Sequence, residues 1–251
     1  MVDSKYLLIT IPPSHYCEKA RWALDYARIP YREERHPPLF HLRSTRFVGR
    51  GRSTPVLVTG NQVLTDSTDI LKYLHTHHTD GWRPYPRDAQ LRVKTEDLED
   101  LFDTRLGPHT RRLAYYHLLQ HRELFLDSVL AGVGRAESAA FRAGRPVITW
   151  LMRRNMNITE ESTKRSLEYI RTVFASVDEL LADGRSFLTG DLFSAADLTF
   201  AALAAPVLLP KNYGSRLPNL DDVPTELLAT IDEFRTSTAG SFALRIYRDH
   251  R

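Results

Sequence analysis

The sequence has very little cysteine and no long apolar run. Cys17 is the only thiol among 251 residues, so no intramolecular disulfide can form, and a reducing compartment is expected. No stretch approaches the roughly 18 apolar residues that a membrane-spanning helix needs. Residues 1–5 also lack the basic and apolar regions of a signal peptide. We therefore expect a cytoplasmic protein with no membrane partner.

The chain also lacks a strong excess of charge. Its net charge is +3 and its pI about 9.0, and the densest basic stretch, residues 135–154, has no aromatic-studded strand or recognition-helix pattern. No nucleic-acid partner is therefore expected. Hydrophobic residues make up 42% and charged residues 26%, which is typical of a folded soluble protein. The length favours two domains of unequal size.

Apolar periods and turn residues in the first 78 residues predict alternating strands and helices. The predicted elements are a strand over 5–11, a helix over 15–28, a strand opening at 29, an irregular segment over 37–53 with one helical turn, a hairpin of 55–58 and 63–65, and a helix over 67–78. This order predicts a mixed four-stranded sheet with helices packed on it. Such an arrangement is the thioredoxin-like α/β fold.

The remainder of the chain reads as all-helical. Gly81, Pro84 and Pro86 interrupt any helix, so we predict a first domain over 1–79, a linker over 80–87 and a second domain over 88–251. Helical periods in the second domain fall at 88–131, 138–157, 162–182, 195–209 and 225–236. Pro206 is expected to kink or end its helix.

Three places in the first domain are suited to chemistry. Ser14 caps a helix that follows a strand, and the N–H groups and dipole there favour a thiolate, although a serine N-cap before a helix with a buried cysteine is common and needs no such role. Pro55 opens a strand where a cis bond would expose backbone groups to a peptide ligand, although a strand-starting proline explains it equally well. Asp66 and Ser67 open a helix whose N-terminus suits an α-carboxylate, but capping alone accounts for both residues.

These segments carry a family resemblance. Residues 14–24, 54–58 and 64–74 are similar to the N-terminal domain of cytosolic glutathione transferases with a serine-type site. Residues 187–198 resemble the helix-capping segment of the same family, and we expect Ser194 and Asp197 to form a capping box there. The resemblance implies a thioredoxin-like domain followed by an all-α domain.

The resemblance also implies roles for individual residues. Ser14 would donate to the glutathione thiolate, and the backbone of Thr54 or Val56 would pair with the cysteinyl part. The γ-glutamyl end would lie at Asp66 and Ser67. The glycyl carboxylate would meet a cation among His41, Arg43, Arg50 and Arg52. The shorter side chain of Asp66, where the family usually has Glu or Gln, weakens the case for its direct contact.

The leading hypothesis is a detoxifying glutathione transferase that joins the glutathione thiolate to small hydrophobic electrophiles. Glutathione would be the co-substrate and no metal would be required. Tyr115 and Tyr116 are the candidate walls of the electrophile pocket. A homodimer through helices near 67–78 and 88–131 is also implied.

Two alternatives stand beside this hypothesis. Omega-type and glutaredoxin-like relatives use a cysteine in the same turn for thiol–disulfide exchange, which would make Cys17 the nucleophile. Their cysteine, however, occupies the first position of the turn, which here is Ser14. The other alternative is a non-catalytic binding or scaffold protein that keeps the fold.

Overall fold

A four-stranded mixed sheet forms the first part of the chain. The computed structural model describes residues 5–48, 51–78 and 81–251. The strands within these residues are β1 (Leu7–Thr10), β2 (Arg32–Arg35), β3 (Val56–Val58) and β4 (Val63–Leu64). Their order is β2-β1-β3-β4, with β2 parallel to β1 and the other pairs antiparallel. The predicted α/β fold class is confirmed.

The helices of this part are α1 (His15–Tyr26), α2 (His41–Phe47) and α3 (Ser67–His77). α2 corrects the sequence-based prediction, which placed only one helical turn in its segment. His41 and Thr45 are spaced four residues apart and bury one face of this helix, and that tertiary contact overrides a sequence without a clear period. Arg50 and the predicted boundary at residues 79 and 80 lie outside the described residues.

Helices make up most of the rest of the described chain. They are α4 (Ala89–Leu101), α5 (Gly107–Leu118), α6 (Arg122–Val129), α7 (Arg135–Asn155), α8 (Glu160–Leu181), α9 (Ala195–Leu208), α10 (Thr225–Thr236) and α11 (Thr238–His250). α11 was not predicted. None of the helices in the described ranges combines the length and the apolar composition needed to cross a bilayer.

The helix predicted over 88–131 is broken into segments, and Pro108 explains the first break. A π-helical turn, Phe102–Leu106, joins α4 to α5, and the Gly107 N–H donates to the Phe102 carbonyl five residues back. Pro108 has no N–H to donate and its ring crowds the preceding turn. The wider π turn accommodates that ring, so the chain changes helix axis without leaving a helix.

α9 forms the centre of the helical part, and nearly every one of its residues is buried. Its start is fixed by the expected capping box between Ser194 and Asp197. The Asp197 carboxylate accepts from the Ser194 N–H at 2.8 Å and from the Leu188 N–H at 2.7 Å. Pro206 does not end the helix, which continues to Leu208 and stops where Leu209 adopts a left-handed conformation.

Candidate active site

Ser14 lies at the start of α1, just after the C-terminal end of the central strand β1. Ser14 is the N-cap, and its side-chain oxygen accepts from the Cys17 N–H at 3.3 Å. The serine O–H has no recipient in this cap and is available to a ligand. The neighbouring N–H groups and the positive end of the helix dipole favour a negative charge beside Ser14.

The two residues after Ser14 tie this turn to the second half of the chain. The Tyr16 hydroxyl donates to the Asp103 carbonyl at 2.7 Å, and His15 Nε2 lies 2.9 Å from the Gly107 carbonyl. In the π turn the Asp103 carbonyl would receive its bond from residue 108, which is proline and has no N–H. Tyr16 therefore supplies the hydrogen bond that Pro108 withholds.

His15 is neutral in this position. Burial lowers the pKa of His15 to about 3, and the nearby Arg111 guanidinium lowers it further, against the opposing hydrogen bond to Gly107. A neutral imidazole with one N–H matches a single bond to the Gly107 carbonyl. His15 thus stabilises the turn through its hydrogen bond to Gly107 and does not transfer protons.

Ser14 opens onto an apolar cavity of about 360 Å³ between the two halves of the chain. The walls come from α5, α7, the segment before α2 and the loop after α9. The apolar lining residues are Ile11, Pro13, Pro38, Leu39, Ala114, Leu118, Met152, Met156, Pro206, Leu209, Leu217 and Pro218. A cavity of this size and composition suits a small hydrophobic molecule.

A second, polar cavity of about 550 Å³ lies at the start of α3. Pro55, Asp66 and Ser67 line it. Tyr16, Ser53, Thr54 and Arg111 line both cavities. The two cavities therefore form one cleft, with polar and apolar ends that meet beside the first turn of α1.

A buried ion cluster lies behind the polar end. The Lys19 ammonium is 2.8 Å from Glu99, 2.7 Å from Asp103 and 2.9 Å from the Thr68 hydroxyl. Burial alone would lower the pKa of Lys19, but the two carboxylates raise it above its usual value. The cluster joins α1, α3 and α4 and so fixes the wall of the polar cavity.

A loop from the helical half covers the apolar end. The Tyr213 hydroxyl donates to the Pro13 carbonyl at 3.0 Å, and the Gly214 N–H donates to the buried Glu18 carboxylate at 2.9 Å. The Arg35 guanidinium donates to the Gly214 carbonyl at 3.0 Å. These bonds hold Tyr213 and Leu217 over the cavity.

Residues 8–81 match the family model described as "Glutathione S-transferase, N-terminal domain". This part of the chain is therefore similar to the N-terminal domain of glutathione S-transferases. The match covers nearly all of the sheet, α1 to α3 and the part of the polar end that residues 53–72 form. The apolar end is built mostly by residues beyond it.

Several solved structures share the fold over nearly the whole chain. A possible glutathione S-transferase from Rhodopseudomonas palustris superposes with a TM-score of 0.59 at 17% identity, covering 98% of this chain and 95% of the other. The beta-etherase LigF from Sphingobium sp. strain SYK-6 gives 0.62 at 17% identity, with 96% and 99% covered. A theta class glutathione S-transferase from Xanthomonas axonopodis pv. citri, solved with glutathione bound, gives 0.52 at 17% identity, with 96% and 97% covered. None of the curated proteins compared with the sequence matches it significantly.

The structure brings most of the predicted glutathione S-transferase residues to one cleft. The Thr54–Pro55 peptide bond is cis. The exposed Asp66 carboxylate caps α3 by accepting from the Thr68 N–H at 2.7 Å. Ser67 is buried and lines the polar cavity. Val56 is fully buried in β3 and its side chain lines neither cavity, which leaves only its backbone for a ligand.

The candidate cations differ in what they offer. His41 Nε2 lies 3.1 Å from the Arg52 carbonyl, and burial lowers the pKa of His41, so a neutral ring is already committed to the backbone. Arg52 is exposed and lines the apolar cavity near Ser53. Arg43 is exposed on α2 and lines neither end of the cleft. Arg52 is therefore the better placed cation.

Of the predicted nucleophile Cys17 and the predicted pocket residues Tyr115 and Tyr116, only Tyr115 lines the cleft. Cys17 is completely buried, its sulfur accepts from the Ile11 N–H at 3.4 Å, and it lines neither cavity. Tyr115 lines the apolar cavity, whereas Tyr116 does not and packs instead against the cluster around Phe125. On α5 the cavity face runs through residues 111, 114, 115 and 118, and position 116 points away from it.

Sequence reasoning missed Tyr16, Arg111 and Leu217, which all line the cleft. Pro108 was the available signal, because a proline within a predicted helix implies a change of axis. The contribution of the loop after α9 has no local signal, since it depends on bonds to residues about 200 positions earlier.

Proposed function

We propose that this protein is a glutathione transferase that conjugates the glutathione thiolate to small hydrophobic electrophiles. The proposal depends on one observation: the Ser14 hydroxyl faces an apolar cavity that shares Thr54 with a polar cavity at the start of α3. A thiol peptide spanning the cleft would place its sulfur at Ser14. Its partner molecule would occupy the apolar end.

Ser14 would act by stabilising the thiolate. A free thiol has a pKa near 8.5, and hydrogen-bond donors at a helix N-terminus lower it. The Ser14 O–H and the dipole of α1 provide such an environment, and the apolar walls exclude water that would compete for the charge. The sulfur then attacks the electrophilic carbon and forms a C–S bond, while the leaving group departs with its bonding electrons.

The ends of glutathione would be held by opposite charges. The α-carboxylate fits the N-terminus of α3 beside Ser67, and the α-ammonium fits the carboxylates that surround it. The Thr54 backbone lies between the two cavities, where the cysteinyl part would pass. Arg52 would meet the glycyl carboxylate.

The burial of Cys17 argues against thiol–disulfide exchange as the main activity, because a reactive cysteine needs access to its partner disulfide. The scaffold alternative differs from ours only in turnover. Retention on immobilised glutathione without conjugation of any of several electrophiles would support it.

Substitution of Ser14 tests the proposal directly. Ser14→Ala should lower kcat/KM for conjugation by about a hundredfold, as expected for loss of one donor to a developing or fixed negative charge. The pH at which the bound thiol ionises, followed by thiolate absorbance, should rise. Cys17→Ala should change kcat/KM by less than about twofold.

Two further variants separate catalysis from helix capping. Ser14→Thr keeps both hydroxyl and cap and should retain much of the activity. Ser14→Gly keeps most of the helix stability, since glycine is tolerated at an N-cap, yet it should be as inactive as Ser14→Ala. If Cys17→Ala abolishes activity and Ser14→Ala does not, the serine assignment is wrong and disulfide chemistry is favoured.

A homodimer through the helices of 67–78 and 88–131 remains a prediction. Val93 on α4 is 56% exposed, which fits a helix face that a second copy could cover. Sedimentation at several concentrations would detect the dimer, and Val93→Glu should weaken it.

A further inference from the structure

The Arg111 guanidinium has no role in the chemistry described above. Arg111 is half-buried on α5 and lines both ends of the cleft. Within the described part of the chain no hydrogen bond or ion pair reaches its guanidinium. A half-buried cation without a partner is unfavourable. Its position therefore favours negative charge brought by a ligand.

The three rings that interact with Arg111, those of His15, Tyr16 and Tyr115, do not supply that charge. Burial raises the pKa of Tyr115 to about 12, and the Arg111 guanidinium opposes this rise only in part. The same combination of burial and Arg111 acts on Tyr16, whose pKa is also raised. His15 is neutral as well. Arg111 thus faces three uncharged rings.

The two ends of the cleft differ in charge. The described lining of the polar cavity includes the carboxylates of Asp66, Asp69, Glu96, Glu99, Asp100 and Asp103. Among the described residues that line the apolar cavity there is no carboxylate, whereas two arginines, Arg52 and Arg111, are present. The apolar end is therefore hydrophobic and positive at once.

Only one of these arginines is required by glutathione. Arg52 lies on the segment before Thr54 and is assigned to the glycyl carboxylate in the proposed function. Arg111 lies on α5, with Ala114, Tyr115 and Leu118 continuing the same helix face into the apolar end. Arg111 is therefore placed to meet the second substrate.

We propose that Arg111 pairs with a carboxylate of the co-substrate, so that the apolar cavity selects hydrophobic electrophiles that carry an anionic group. This inference rests on the proposed glutathione transferase activity. A chlorodinitrobenzene ring with a carboxylate is a suitable probe. The thiolate forms a C–S bond, chloride leaves with its electron pair, and the thiol proton passes to solvent.

The test compares two probes that differ in one group: a chlorodinitrobenzene with a carboxylate opposite the chlorine, and the same ring with a carboxamide. Each kcat/KM is divided by the uncatalysed rate constant with glutathione. The wild type should prefer the carboxylate. Arg111→Gln should lower the carboxylate-to-carboxamide ratio by about tenfold or more, the loss expected for one charged hydrogen bond.

Two variants serve as controls. Arg111→Lys keeps the charge without the planar fork and should retain part of the preference. Arg105→Gln removes an exposed arginine that lines neither cavity and should leave the ratio unchanged.

Other outcomes overturn the proposal. If both rates fall equally in Arg111→Gln and the bound thiol ionises at higher pH, Arg111 stabilises the thiolate instead. If the KM for glutathione rises and this increase is absent with γ-glutamylcysteine, Arg111 holds the glycyl carboxylate.

A binding measurement keeps the inference testable even if the proposed function fails. Should the wild type conjugate neither probe, the two ready-made thioethers of glutathione with these rings are titrated into the wild type and Arg111→Gln by calorimetry. Binding of the carboxylate thioether alone should weaken about tenfold. An equal loss for both thioethers, or no loss, would overturn the pairing.

Discussion

The polar and apolar ends of the cleft are built by different means. At the polar end, backbone N–H groups at the start of α3 and a buried ion cluster around Lys19 define the walls. At the apolar end, α5, α7 and the loop around Leu217 supply side chains from distant parts of the chain. The polar end thus depends on local capping and charge, and the apolar end on tertiary packing.

Because the two ends are built differently, few substitutions should affect ligand recognition at the polar end and many should affect it at the apolar end. A ligand held by backbone groups and helix termini is recognised through geometry that few substitutions can alter. A ligand held by apolar side chains meets a wall that each substitution reshapes. We therefore expect the polar end to determine glutathione affinity and the apolar end to determine the choice of electrophile.

The largest expected effect comes from breaking the ion cluster at the polar end. Lys19→Met leaves Glu99 and Asp103 without their cation in a buried site, and the free energy of unfolding should fall by about 3–5 kcal/mol. Denaturant unfolding measures the change. Lys72→Met is the matched control, because Lys72 lines the same cavity but is exposed, and its effect should stay within about 0.5 kcal/mol.

An equal, small effect of both lysine variants would show that the ion cluster is not what holds the polar wall. In that case the two ends would differ in the charge of their lining residues but not in how their walls are held.

The next place to test is the joint between the two ends, where the first turn of α1 meets Gly107 at the start of α5. A methyl group at Gly107 would overlap the Tyr16 hydroxyl and lie 2.6 Å from Tyr16 Cζ, and Tyr16 lines both cavities. Gly107→Ala should cost about 1–3 kcal/mol of stability through overpacking. It should also raise the KM values for glutathione and electrophile together.

Gly81→Ala provides the control for this joint, because a methyl group there meets nothing within 4 Å. Its stability should change by less than about 0.5 kcal/mol. A rise in only one of the two KM values for Gly107→Ala would mean that Tyr16 serves one end alone.

The same contrast explains what the sequence could predict. The caps at Ser14, Asp66 and Ser194 depend on residues within a few positions of one another, so spacing rules identify them. The sheet order follows from short strands and a tight hairpin. The fold class was accordingly within reach of sequence reasoning.

The lining of the apolar end could not be predicted from the sequence, and the reason is physical. Which face of α5 meets the cleft depends on the π turn before Pro108, and a uniform helical period cannot include it. Tyr115 and Tyr116 are adjacent residues of the same type, yet only Tyr115 lines the cavity. Arg111 gains its position from the same change of axis.

The pH dependence of stability tests whether the joint is held by a neutral imidazole. His15 has a folded-state pKa of about 3 against about 6.5 when unfolded. As the pH falls from about 6.5 towards 3, His15 takes up a proton in the unfolded chain but not in the folded one. The free energy of unfolding therefore falls by up to about 1.4 kcal/mol per pH unit. His15→Gln keeps an N–H for Gly107 and should remove this contribution, visible as a shallower slope in unfolding experiments. An unchanged slope would mean that His15 titrates alike in both states.

The smallest effects form a crossed pair that compares the two ends directly. Ser67→Ala removes one hydrogen bond at the polar end and should raise the KM for glutathione by about five- to tenfold, with little change for the electrophile. Leu217→Ala removes part of the apolar wall and should raise the KM for the electrophile by about fivefold, the effect of losing one or two buried methylene contacts, with little change for glutathione. Steady-state kinetics with each substrate varied in turn gives all four values. If either variant raises both KM values equally, the ends of the cleft do not act independently, and the loop around Leu217 must also order the glutathione side.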